Sequence, residues 1–137
     1  MTNILRLLDL IPSPDPRIQI GIPLISVPSE VLALNLIERH EQYGLKDKLI
    51  YPPGVRSYME ARPPPGVYTN KKILSIHGEL DFLMPIERCR PMLDQLVEES
   101  YPGYVDVFVC PDSGHKVSPE MVRRCAEWCW RWGLSIE

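Results

Sequence analysis

The chain of 137 residues is long enough for one globular domain with a core of its own. Hydrophobic residues make up 45% of it and charged residues 24%, which is ordinary for a globular protein and argues against a disordered chain. A net charge of −3 offers no basic surface for a phosphate backbone, so nucleic acid is not an expected partner.

The sequence shows no membrane-spanning or secretory segment. Its longest apolar runs, residues 22–27 and 31–37, are interrupted and too short for a spanning helix. The first eleven residues lack the apolar core and cleavage site of a signal peptide. Of the four cysteines, Cys125 and Cys129 lie one helical turn apart, so buried free thiols are expected rather than disulfides. We therefore expect a cytoplasmic location.

The first part of the chain predicts a helix, a strand and a second helix. Apolar residues at positions 4, 5, 7, 8 and 11 predict a helix that a proline cluster ends, so residues 1–16 form an N-terminal helix and turn. Residues 17–27 predict a strand, but Pro23 lacks an N–H group, so the strand should be at an edge or short. Ser29 as N-cap and Gly44 as the stop delimit the second helix.

Residues 45–70 are rich in proline and aromatic residues, with at most a short helix near residues 55–61. A bare loop of this length is uncommon in a compact domain. A segment that closes over a pocket explains it better, and we predict a lid-like insertion over residues 28–70 within a domain of residues 17–137. A surface excursion without a role is the alternative.

Two strand-and-loop units follow. An apolar strand over residues 73–76 leads into the loop that carries Asp81, and a strand over residues 105–110 leads into the loop that carries His115. A helix over residues 86–100 connects them, with its apolar face formed by Met92, Leu93, Leu96 and Val97. If the strands are parallel, Asp81 and His115 reach the same edge of the sheet, where an acid can orient an imidazole.

The last helix begins with Ser118 as N-cap and Pro119 in the first turn, and Gly133 ends it. Its predicted buried stripe is Val122, Cys125, Ala126, Cys129 and Trp132. The alternation of strands and helices predicts an α/β fold with a short, mostly parallel sheet of about three strands flanked by helices. Such a sheet leaves its edges uncovered, which suggests a homo-oligomer or a missing N-terminal half.

His77, at the end of its strand, is expected to pack in the core and to bond to the backbone. His77, Asp81 and His115 are residue types that bind metals, but no HxH or HExxH spacing supports a metal site. No metal and no cofactor are predicted.

The stretch His77-Gly78-Glu79-Leu80-Asp81, the following Met84-Pro85, and Gly114-His115 after the next strand resemble the C-terminal half of an α/β-hydrolase. The similarity is greatest to the carboxylesterase, thioesterase and dienelactone-hydrolase branch and covers about half the chain. It implies a partial α/β-hydrolase fold, Asp81 as the catalytic acid, His115 as the catalytic base, and a small ester or thioester as substrate.

The serine of that family lies in a GxSxG turn, and no GxSxG occurs in these 137 residues. The resemblance therefore implies a truncated hydrolase-like protein that keeps the acid and the base, with any serine supplied by other sequence. Two further hypotheses remain: a non-catalytic interaction or oligomerisation protein, and an acid–base isomerase or cyclase that uses the Asp81–His115 pair alone.

Overall fold

The computed structural model describes residues 16–25, 35, 37, 38, 41–44, 53, 54, 57 and 65–134. Three strands lie in this part of the chain: β1 (Ile20–Gly21), β2 (Lys72–Gly78) and β3 (Val105–Cys110). Two helices are described throughout, α1 (Ile86–Glu99) and α2 (Pro119–Cys129), and a π-helical turn, Trp130–Leu134, continues α2. Residues 1–15 of the predicted N-terminal segment and most of the predicted lid lie outside the described residues.

The described strands form one parallel sheet in the order β1-β2-β3, as the alternating pattern predicts. Ile73 pairs with Val105 and Gly78 pairs with Cys110, so β2 and β3 are in register and end at the same level. Every residue of β2 from Ile73 onward is buried. Continuous burial of this kind is typical of a parallel strand covered on both faces.

The two helices cover opposite faces of the sheet, because side chains alternate along each strand. On one face, Ile73 and Val105 pack with Leu96 of α1. On the other face, Leu74 and Ile76 pack with two residues of α2, Met121 and Trp128. The result is a three-layer arrangement. Because β2 and β3 are parallel and end at the same level, the turns that follow them lie side by side at the C-terminal end of the strands.

Helix α1 buries most of the predicted face, since Leu93 and Leu96 are buried and Met92 packs against the core. Its buried residues are Ile86, Cys89, Leu93 and Leu96, which follow one another at helical spacing. Val97, predicted to be in the core, is 44% exposed. Pro91 lies inside the helix, less than two turns from its beginning.

The beginning of α2 agrees with the prediction, and its buried stripe agrees in part. Ser118 is the N-cap, and its Oγ accepts a hydrogen bond of 3.2 Å from the Met121 N–H, with proline in the first turn. Of the predicted stripe, Cys125 and Trp132 pack against the core, whereas Val122, Ala126 and Cys129 are exposed. The fully buried residues are Met121 and Trp128, which the prediction missed.

The first strand is as short as Pro23 predicts, with a separate bridge between Leu24 and Ile76 beyond it. Residues 35, 37, 38 and 41–43 of the predicted second helix are helical, and Gly44 after them has a φ of 60°, as a glycine stop requires. Arg88 of α1 ties the two helices together through a 3.0 Å ion pair with Glu38.

All four cysteines are free, as predicted; Cys89 and Cys110 are buried, Cys125 is half-buried and Cys129 is exposed. None of the helices in the described part of the chain is long and apolar enough to cross a membrane.

Candidate active site

The turns that follow β2 and β3 are joined by backbone hydrogen bonds. The Glu79 N–H donates to the Cys110 carbonyl at 3.0 Å, and the Leu80 N–H donates to the Ser113 carbonyl at 2.9 Å. These bonds extend the pairing of the two strands beyond their ends. The loop that carries Asp81 and the loop that carries His115 are therefore fixed to each other.

Gly78 permits this close approach. A β-carbon at position 78 would lie 2.4 Å from the Ser113 carbonyl oxygen and 2.5 Å from that of Gly114. Both atoms belong to the backbone and have little room to move. Only glycine fits where β2 ends, so the HG pair that marks the end of this strand in the sequence has a steric reason.

The carboxylate of Asp81 is almost completely buried and has a hydrogen-bond donor at each oxygen. Oδ1 accepts bonds from the Leu83 N–H at 3.0 Å and the Met84 N–H at 2.9 Å. Oδ2 lies 2.9 Å from Nδ1 of His115. The side chain of Asp81 is only 1% exposed, so these three bonds replace the water that the charge has lost.

His115 presents its other ring nitrogen outward. Its side chain is 42% exposed, and Nε2 has no hydrogen-bond partner among the described residues. Because an ionised carboxylate only accepts hydrogen bonds, the contact with Asp81 places the proton on Nδ1. Nε2 then carries a lone pair that points away from Asp81, which is the arrangement that a general base requires.

The structure therefore brings together both residues that the sequence singled out, Asp81 and His115. Their catalytic role remains a prediction. Among the described residues no serine or cysteine contacts Nε2 of His115. Ser113, two residues earlier, is buried and donates its hydroxyl hydrogen to the Lys116 carbonyl at 3.3 Å.

A second histidine, His77, forms a contact that the sequence analysis missed. Its Nε2 lies 2.8 Å from the Ser75 hydroxyl, a side-chain bond instead of the expected backbone bond. Burial, with a smaller contribution from the Arg90 cation and against an opposing one from Asp81, lowers the pKa of His77 to about 4. His77 is therefore a neutral residue of the core. The i and i+2 spacing on one strand face was the available signal.

Cysteine chemistry is not favoured beside the pair. Burial raises the pKa of the Cys89 thiol to about 11, with smaller contributions from Asp81 and Glu87. Cys110 at the end of β3 contacts the Ser118 hydroxyl, with 3.2 Å between Sγ and Oγ. Within the described ranges, no three side chains of the metal-binding types cluster.

Exposed apolar residues flank Asp81 and follow His115 in the chain. Leu80 is 61% exposed and Phe82 is 82% exposed, on either side of Asp81, and Val117, two residues after His115, is 54% exposed. The hydrogen bonds to Asp81 hold the loop in place, so this exposure belongs to an ordered turn. We call Leu80, Phe82 and Val117 the apolar rim.

Parallel strands, covering helices and the order of the acid and the histidine along the chain define a partial α/β-hydrolase fold. Solved structures agree. TT1662 from Thermus thermophilus matches with a TM-score of 0.55 and 28% identity over 62% of this chain. An esterase from Pyrococcus furiosus, Pf2001, matches in two crystal forms with TM-scores of 0.56 and 0.54, at 18% identity over 92% and 93% of this chain.

The chain spans 36% of TT1662 and 48% of the Pyrococcus furiosus esterase, about half or less of each. At 18% identity the likeness to the esterase concerns the fold. No protein-family model and no curated protein sequence matches the chain.

Proposed function

We propose that this α/β-hydrolase-like chain carries the acid and the base of a serine ester or thioester hydrolase, and that the attacking serine comes from polypeptide outside these 137 residues. One observation carries the proposal: Oδ2 of Asp81 lies 2.9 Å from Nδ1 of His115, and Nε2 has no partner in the described part of the chain. The absence of GxSxG from the sequence is the reason to assign the serine elsewhere.

In the proposed reaction, Nε2 of His115 takes the serine hydroxyl proton while the serine oxygen bonds to the substrate carbonyl carbon. The imidazolium then gives that proton to the leaving group, which is the oxygen of an alcohol or the sulfur of a thiol, as its bond to the acyl carbon breaks. Water then attacks the acyl-serine while His115 takes its proton, and His115 returns this proton to the serine oxygen as the acyl bond breaks, which releases the carboxylic acid product and the free serine. Asp81 orients the ring and stabilises the imidazolium throughout.

The apolar rim supports a substrate with an apolar group next to the ester. Leu80, Phe82 and Val117 present side chains within a few residues of the acid or the base. Large exposed apolar side chains in the two loops that carry the acid and the base are available to contact a substrate at this site. A small ester or thioester is thus the proposed partner, and a cytoplasmic location fits the four free thiols.

Two other functions keep specific support. Without a neighbouring nucleophile among the described residues, the Asp81–His115 pair is suited to isomerisation or cyclisation, in which Nε2 removes a proton from carbon and returns it to another position. A non-catalytic interaction or oligomerisation protein is the remaining possibility, and the short sheet supports it.

An added alcohol tests the main proposal, because it replaces the missing serine. The purified chain is incubated with p-nitrophenyl butyrate and methanol, and methyl butyrate is measured beside the variants His115→Ala and Lys116→Ala. We expect transfer about 10²-fold faster than with the same concentration of imidazole, at the low end of general-base effects. It should disappear in His115→Ala and persist in Lys116→Ala, which changes an exposed neighbour.

Transfer no faster than with imidazole, or equal transfer by both variants, would contradict the base role of His115. A fluorophosphonate probe gives the second readout. The proposal expects no adduct on the purified chain, and a stable serine adduct would show that the nucleophile lies within it.

A further inference from the structure

Packing against the core does little to hold the stretch that carries His115. In residues 111–120, which the structure describes without a gap, Ser113 is the only buried residue. Residues 115–117 are all exposed. The position of the imidazole therefore depends on hydrogen bonds within this stretch and on the contact with Asp81.

The backbone around His115 forms a tight turn. The Lys116 N–H donates to the Gly114 carbonyl at 2.8 Å, and the φ angle of His115 is not positive. His115 is therefore the central residue of an inverse γ-turn, which a single backbone hydrogen bond closes. A second bond across the same residues would restrict the backbone of His115 further.

The side chain of Ser113 supplies this second bond. Its hydroxyl donates to the Lys116 carbonyl at 3.3 Å, so the bond spans both Gly114 and His115. Ser113 itself is only 3% exposed. The far end of the γ-turn is thereby tied to the one residue of the stretch that is anchored in the interior.

The main chain of Ser113 is bonded to the loop that carries the acid. Its carbonyl accepts a 2.9 Å hydrogen bond from the Leu80 N–H, and Leu80 directly precedes Asp81. The missing side chain of Gly78 leaves room for this carbonyl. Ser113 thus holds the acid loop with its backbone and the turn of the base with its side chain.

We propose that Ser113 is a positioning residue, whose hydroxyl holds the His115 turn so that Nδ1 stays at hydrogen-bond distance from Oδ2 of Asp81. Ser113 acts through His115, because its hydroxyl hydrogen is directed at a backbone carbonyl. The consequence for catalysis rests on the proposed hydrolase function. The consequence for the contact between the two side chains does not.

A hydroxyl that only stabilised the fold would behave differently. Its removal would lower the stability of the whole domain and leave the contact between Asp81 and His115 intact in every folded molecule. Removal of a positioning hydroxyl increases the fraction of folded molecules in which this contact is open. The Nδ1 proton of His115 reports that fraction, because its hydrogen bond to Asp81 protects it from exchange with water.

The test compares Ser113→Ala with Ser75→Ala in the full chain. Ser75 is also 3% exposed, and its hydroxyl contacts Nε2 of His77 at 2.8 Å on β2, outside the His115 turn. NMR measures the exchange of the His115 Nδ1 proton with water. Exchange should be roughly threefold faster in Ser113→Ala, at the low end of the worth of one hydrogen bond because 3.3 Å is long for a hydroxyl donor. Acyl transfer to methanol should slow by no more than the same factor, and Ser75→Ala should change neither rate.

Equal exchange in Ser113→Ala and the natural chain would overturn the proposal. Exchange that is equally faster in both variants would overturn it too, since the hydroxyl would then act only through overall stability. A natural chain whose His115 Nδ1 proton exchanges as fast as that of free imidazole would also overturn it. If the natural chain shows no acyl transfer but the difference in exchange is present, the hydrolase function is contradicted and the positioning role of Ser113 is still supported.

Discussion

The carbonyl oxygen of Ser113 occupies the space that a side chain at Gly78 would need, 2.4 Å from where its β-carbon would lie. This contact joins the end of β2 to the loop after β3. It therefore connects the stability of the sheet to the geometry of the acid–base pair. A substitution at Gly78 should therefore also change the position of His115, because the obstructing carbonyl groups of Ser113 and Gly114 directly precede it in the chain.

Gly78→Ala should destabilise the protein by about 2–3 kcal/mol, at the upper end of the usual cost of overpacking, because the obstructing atoms belong to the backbone. The matched control is Gly114→Ala, whose β-carbon would meet its nearest neighbour, the Leu80 carbonyl, at 3.6 Å. It should change stability by less than about 0.5 kcal/mol. Urea unfolding measures both, and equal losses would contradict the steric account of Gly78.

Asp81→Asn should move the ring proton of His115 from Nδ1 to Nε2. The amide oxygen can still accept from Leu83 and Met84, but the amide nitrogen then faces Nδ1 and donates to it. With the proton on Nε2, this nitrogen can no longer act as a base. The rate of acyl transfer to methanol should then fall to the rate measured with free imidazole.

Ring nitrogen chemical shifts distinguish the two tautomers of His115. The control, Asp112→Asn, changes an exposed acid in the same loop and should leave the shifts and the transfer rate unaltered. A variant Asp81→Asn whose His115 keeps its proton on Nδ1 would argue that Asp81 does not set the tautomer.

His77 should make the protein less stable as the pH falls. Its pKa is lowered to about 4 in the folded state from 6.5. Between pH 6.5 and 4 the unfolded chain binds a proton at His77 and the folded chain does not. The contribution of His77 to the free energy of unfolding is therefore complete above pH 6.5 and is lost as the pH falls toward 4. The shift corresponds to about 3 kcal/mol over this range.

The measurement is the free energy of unfolding at several pH values for the natural protein and for His77→Gln, which keeps a partner for the Ser75 hydroxyl. The other titrating groups are common to both proteins, so the difference between the two curves isolates His77. Parallel curves between pH 6.5 and 4 would contradict the assignment.

Asp106→Ala should open the outer edge of β3, the last strand of the described sheet, where Oδ1 of Asp106 accepts a 2.9 Å hydrogen bond from the Val107 N–H. With the Val107 N–H released, β3 becomes available for pairing, and molecules should associate beyond the size of the natural protein. Light scattering at increasing concentration measures this. Asp94→Ala removes the same charge from an exposed position on α1 and should show no added association. Growth in both variants would mean that net charge, and not the edge, controls association.

The parallel sheet and the proximity of Asp81 and His115 could be predicted from the sequence because each depends on a local signal. The strands β2 and β3 are rich in β-branched and other apolar residues, which favour a strand that packs against covering helices. Asp81 and His115 each follow such a run by a few residues, and parallel strands place both at one edge. Ser118 before Pro119 is an equally local signal for the beginning of α2.

What could not be predicted depends on partners distant in the chain. Two apolar stripes one residue apart compete for the core of α2, and the sheet decides for Met121 and Trp128 over Val122 and Cys129. Val97 is exposed although it lies next to the buried Leu96 in the chain, and only the packing of α1 on the sheet decides this.

The carboxylate of Asp81 takes two of its three hydrogen bonds from peptide groups of its own turn. Folding of this chain alone thus meets the entropic cost of orienting the acid and, through it, the imidazole. A polypeptide that brought an attacking hydroxyl would only have to place one oxygen atom beside Nε2 of His115. None of its binding energy would be needed to orient Asp81 and His115, because this chain already holds them in contact.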